Sequence, residues 1–86
     1  LRLSETVVAT DFPSGNGVLV DLISKKCYRV NETAMFVWHL LEQGAEVDAI
    51  AAALTRKYDV ALEDAAIGVQ RIVDDFRARD LLLDQG

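Results

Sequence analysis

The sequence predicts an α+β fold: a three-stranded antiparallel sheet followed by three helices. Three observations lead there. The first thirty residues are rich in β-branched and aromatic residues broken by turn clusters. The hydrophobic period then changes to a helical one at Asn31. The strand-like runs are joined by connections too short for a parallel crossover. Strands first and helices after is the order expected of an α+β protein.

The elements follow in order. The segment 6–12, TVVATDF, reads as a first strand, and PSGNG at 13–17 as a turn. VLVDLIS at 18–24 reads as a second strand, with Val18, Val20 and Leu22 on one face and Leu19, Asp21 and Ile23 on the other. SKK at 24–26 is a polar turn, and CYRV at 27–30 a third strand that directs Tyr28 and Val30 to one side and Cys27 and Arg29 to the other. Asn31 is a good N-cap, and Glu32 suits the positive end of the helix dipole. Ala34, Val37, Trp38 and Leu41 then recur at helical spacing, widened by Phe36 and Leu40, until Gln43-Gly44 ends the helix. A second helix spans 47–58, with Ile50, Ala53, Leu54 and Tyr58 inward and no strong cap at its start. The third and longest covers 62–80, with Leu62, Ala65, Ala66, Val69, Ile72, Val73 and Phe76 as its apolar stripe. LLLD at 81–84 is expected to pack back on the body.

With 86 residues, one domain is expected over 1–86. The formal charge is −5, from nine basic and fourteen acidic residues. That balance opposes binding to nucleic acid or to an anionic membrane, both of which reward excess Lys and Arg. No apolar run approaches the roughly 18 residues a transmembrane helix requires, and LRLSETVV has no signal-peptide core. The single Cys27 forms no internal disulfide, which fits a cytoplasmic location.

Catalytic patterns are missing. His39 lies within a helix beside Trp38 and reads as a structural or surface histidine. Cys27 has no second cysteine, no cluster has metal-ligand spacing, and SGNG matches neither phosphate-binding glycine motif. Asp74 and Asp75 are adjacent on a helix, about 100° apart, and do not converge on one substrate atom. A binding module without enzyme activity or cofactor is therefore expected. The third strand offers a place for binding. As an edge it would present unpaired backbone groups able to accept an extended peptide. The third helix would supply the facing wall, and its flank of Gly68, Ile72, Asp75 and Arg79 is preferred. An interior Gly costs about 1 kcal/mol in a helix, and close approach of another backbone is one reason to keep it.

The stretch YRVNETAMFVWHLLEQGAEVDAIAAALTRKYDV, followed by VQRIVDDFRARDLL, resembles the PqqD family over roughly residues 18–83. The order and spacing of its elements carry the likeness: an aliphatic-Asn dipeptide ending a strand, a helix ending in WxLL form, a Gly turn, an IAAAL helix and a last helix closing on leucines. Asp80 departs from the pattern, standing where the family commonly has Gly. The resemblance implies a winged-helix-like shape and a role in recognising the leader of a ribosomally made precursor peptide. The leader would add to the third strand, against the third helix. The likeness is greatest to stand-alone members of lasso-peptide pathways, whose partner is a leader peptidase. Members of pyrroloquinoline quinone synthesis, which serve a radical enzyme, are similar. Carried over by position, Lys26, Cys27, Tyr28, Arg29 and Val30 would meet the leader backbone. Gly68, Val69, Ile72, Asp75, Phe76 and Arg79 would form the side-chain wall. Asp75 would accept a hydrogen bond from the leader. The rivals are a winged-helix DNA-binding regulator, which the charge opposes, and a small subunit that only stabilises a larger enzyme.

Overall fold

The computed structural model describes residues 2–83. Three strands, β1 (Val7–Asp11), β2 (Gly17–Asp21) and β3 (Cys27–Val30), precede three helices, α1 (Glu32–Glu42), α2 (Val47–Tyr58) and α3 (Leu62–Ala78). The sheet is antiparallel in the order β1-β2-β3, so β2 is central and, among the described residues, both outer strands have an open side. Among the described residues no helix is long and apolar enough to cross a membrane.

The helices cover one face of the sheet. Leu19 of the central strand and Val30 of β3 enter a core completed by Met35, Val37, Trp38, Ile50, Leu54, Val69, Val73 and Phe76. Trp38 and Phe76 meet edge to face with centroids 5.5 Å apart, which locks α1 to α3. Each large apolar side chain buried this way contributes about 1.5–3 kcal/mol. Gly17 in β2 is required by close packing. A Cβ there would lie 2.6 Å from Met35 Sδ and 2.7 Å from the Thr10 carbonyl oxygen.

The strand-to-helix junction follows from one residue. Asn31 leaves β3 with extended backbone, and its Oδ1 accepts the Ala34 N–H at 2.8 Å. The same residue therefore ends the strand and caps α1, fixing β3 to the helical layer. α1 stops in a Schellman arrangement: Gly44, at φ +85°, donates to the Leu41 carbonyl, and Ala45 to that of Leu40. α3 stops the same way, with Asp80 donating to Arg77 and Leu81 to Phe76. Asp80 holds φ +59°, a left-handed conformation that favours glycine.

Several expectations are corrected. β2 ends at Asp21 rather than 24. The Asp21 Oδ1 accepts the N–H groups of Ile23 and Ser24, and its carbonyl accepts that of Lys25, so the chain turns at once. Those bonds, Ile23 first, hold the Asp21 carboxyl below the ordinary carboxylate range. Leu22 and Ile23 consequently lie in the turn, with Ile23 75% exposed. On α2 the buried alanine is Ala51, not Ala53, and on α3 Leu62 is exposed and the helix ends at Ala78. Leu81 and Leu82 pack as expected: Leu82 bridges to Leu3, and the Ser4 N–H bonds the Leu81 carbonyl. Asp84 lies outside the described residues.

Candidate functional site: the β3 edge and its groove

Hydrogen-bond parity decides what β3 presents. The Leu22 N–H bonds the Thr6 carbonyl of the β1 side, and the Asp21 N–H bonds the Lys26 carbonyl of the β3 side. Alternation along the central strand then assigns Val18 and Val20 to β1, and Gly17 and Leu19 to β3. Their register partners on β3 are Val30 and Tyr28. Tyr28 and Val30 therefore direct their backbone groups inward. Cys27 and Arg29 direct theirs out of the open edge, where a further strand would find two N–H donors and two carbonyl acceptors. Side chains follow the same division. Tyr28 and Val30 turn to the helices, while Cys27 and Arg29 are exposed.

Beside this edge runs α3. Arg29 and Val30 form the strand side of a hollow of about 320 Å³, with Ala34 of α1 between the walls. α3 supplies Arg71, Ile72, Asp75 and Arg79. Arg79 lines the groove from the C-terminal end of α3. Its guanidinium lies 5.1 Å from the centre of the Tyr28 ring, and its Nε is 3.3 Å from Asp75 Oδ2. Strand and helix are thus joined through a cation–π contact and an ion pair. Asp75 would meet any ligand as half of that pair.

The residues carried over from the resemblance divide. Arg29, Val30, Ile72, Asp75 and Arg79 come together around the groove. Cys27 is exposed on the edge strand, Lys26 immediately precedes it, and Tyr28 is half-buried beneath Arg79. Val69 and Phe76 do not reach the groove surface. Both are fully buried, so they support the wall from behind, which corrects their expected part as contacts. Gly68 stands apart from this group. Among the described residues nothing lies within 4 Å of a Cβ built there. It lines a second hollow of about 190 Å³ with Thr33, Tyr58 and Val60, towards the N-terminal end of α3. Burial, and then the hydrogen bond to Glu32, raise the Tyr58 hydroxyl above its ordinary pKa.

Sequence reasoning missed Arg71 and Ala34. Arg71 had a usable signal, because 68, 71, 75 and 79 recur at helical spacing. It also missed the partners of His39, which bonds Asp11 through Nε2 and Glu42 through Nδ1, each at 2.8 Å. Among the described residues no group of three His, Cys, Asp or Glu could hold a metal ion.

Fold and groove define the class: a small α+β module with a sheet edge left open beside a long helix. The chain belongs to the PqqD family, because the family model described as coenzyme PQQ synthesis protein D matches residues 16–82. Two solved structures are similar over nearly the whole chain. One is TbiB1 in complex with the TbiA(beta) leader peptide, at 20% identity and a TM-score of 0.90, with 100% of this chain and 99% of that chain covered. The other is a lasso peptide synthetase B1 complexed with the leader peptide, at 25% identity and a TM-score of 0.85, with 96% of each chain covered. No curated protein matches this sequence.

Proposed function

We propose that this protein is a non-catalytic leader-binding protein of lasso-peptide biosynthesis. It captures a precursor peptide as a fourth strand on β3, against α3, and presents it to a leader peptidase. The observation that carries this reading is the near-complete structural likeness to a lasso peptide synthetase B1 complexed with its leader peptide. The open β3 edge supports it, because the outward groups of Cys27 and Arg29 lie where an added strand would need them. In this reading the ligand-facing side chains are Arg29, Ile72, Asp75 and Arg79, with Lys26, Cys27, Tyr28 and Val30 along the strand. Gly68 lines the second hollow further along α3, and Val69 and Phe76 hold the groove wall in place. An exposed, free thiol at Cys27 accords with work in the reducing cytoplasm.

The test is a fluorescence-polarisation titration with the labelled leader of the precursor encoded beside this protein's gene. Saturable binding of the native leader, and none of a scrambled one, is expected. Equal binding of both, or of neither, contradicts the proposal. Activity of the cognate peptidase that depends on this protein without any binding of free leader would favour the enzyme-subunit role instead.

A further inference from the structure

The distribution of charge along the groove says what kind of peptide it takes. The protein carries a formal charge of −5, yet five of its nine basic residues border the β3 edge: Lys25, Lys26, Arg29, Arg71 and Arg79. The hollow beside the edge is lined by three cationic residues, Arg29, Arg71 and Arg79, and by a single carboxylate, Asp75. Arg79 is already committed to Asp75 and to the Tyr28 ring. Elsewhere Arg2 pairs with Glu5, Arg77 with Asp74, and Lys57 lies over the Phe36 and Tyr58 rings. Arg29 and Arg71 share one hollow. Both are exposed, they come from opposite walls of one hollow, and among the described residues neither has an ion-pair partner. Two like charges brought to one hollow repel each other, and an anion held between them would relieve that repulsion. A guanidinium can also grip a carboxylate through two parallel hydrogen bonds, which fixes register as well as adding affinity.

We infer that Arg29 and Arg71 select an acidic peptide, gripping a carboxylate side chain of the segment that adds to β3. The inference rests on the proposed strand addition and names the chemistry that addition prefers. Lys25 and Lys26, at the start of the strand, extend the positive border and speed encounter with the same acidic segment. The overall negative charge of the protein favours a peptide over a nucleic acid as the owner of the anion.

The experiment compares two labelled peptides: the leader encoded beside this gene, and the same leader with every Asp and Glu replaced by Asn and Gln. Each is titrated into the native protein and into the double variant Arg29→Gln, Arg71→Gln. Both side chains are exposed, so the variant is expected to melt with the native protein. The native protein should bind the acidic leader about tenfold more tightly than its amide form. The double variant should bind the two alike, at the weaker level. The native preference should shrink between about 50 mM and 500 mM salt as the pairs are screened. Equal affinity of the native protein for both peptides overturns the inference, as does tight binding of a leader that carries no carboxylate. A single-stranded oligonucleotide that binds more tightly than the leader assigns the arginines to phosphate and also overturns it. No binding of either leader to the native protein sinks the strand-addition reading itself, an outcome distinct from binding without charge preference.

Discussion

At the scale of single residues, polar side chains fix the geometry of the elements. Asn31 ends a strand and starts a helix with one side chain. Asp80 takes the left-handed position at the end of α3 that Gly44 takes at the end of α1. An L-residue pays roughly 1 kcal/mol more than glycine there, reduced for Asp by its tolerance of that region. The departure from the family pattern at position 80 is thus a local cost that leaves the Schellman stop intact. His39 ties β1 to α1 by bonding Asp11 while its other ring nitrogen meets Glu42. The Asp11 bond chiefly, opposed by partial burial and helped by Glu42, raises the imidazole pKa above its ordinary 6.5. A raised pKa means that the folded state binds the proton more tightly. The stabilisation is complete below pH 6.5 and is lost as pH rises through the folded value. The urea midpoint of the native protein is therefore expected to fall between about pH 6 and 8, while that of His39→Gln stays flat over this window. Parallel curves for the two proteins would contradict the assignment.

At the scale of elements, the parity of β3 gives a direct test of strand addition. Proline at position 27 removes an N–H that faces out of the sheet, whereas proline at 28 removes one that bonds β2. Cys27→Pro is expected to remain folded, with its melting point changed by a few degrees, and to lose leader affinity by about tenfold or more. Tyr28→Pro is expected to lose about 3 kcal/mol or more of stability. Thermal melts followed by peptide titration separate the two effects. Unchanged leader affinity in Cys27→Pro would place the peptide elsewhere.

The same scale shows how far the elements were legible in the sequence. The three strands and three helices were readable because the hydrophobic period switches at Asn31 and each helix stop has its own chemistry. The end of β2 was not, because Leu22 and Ile23 look like strand while the Asp21 side chain commits them to a turn. Edge and facing helix were also readable, but the division of α3 between core and groove was not. Val69, Ile72 and Phe76 share one stripe, and only the packing of Trp38 against Phe76 shows how deeply the stripe sinks. Contacts between residues far apart in sequence, such as His39 with Asp11 and Arg79 with Tyr28, had no local signal at all.

At the scale of the whole molecule, two sheet edges are open among the described residues, and the peptide is assigned to only one. β1 directs the backbone groups of Val7, Ala9 and Asp11 outward, by the same parity that turns out those of Cys27 and Arg29 on β3. What distinguishes β3 is its setting. α3 stands beside it, arginines line the gap, and Arg79 joins the two walls. Residue-resolved amide exchange, with and without the native leader, compares these edges in one experiment. The Cys27 and Arg29 N–H groups are expected to exchange quickly in the free protein and slowly in the complex, while Val7, Ala9 and Asp11 are unaffected. Protection that appears on β1 instead, or saturable leader binding with no new protection at Cys27 and Arg29, would contradict this assignment.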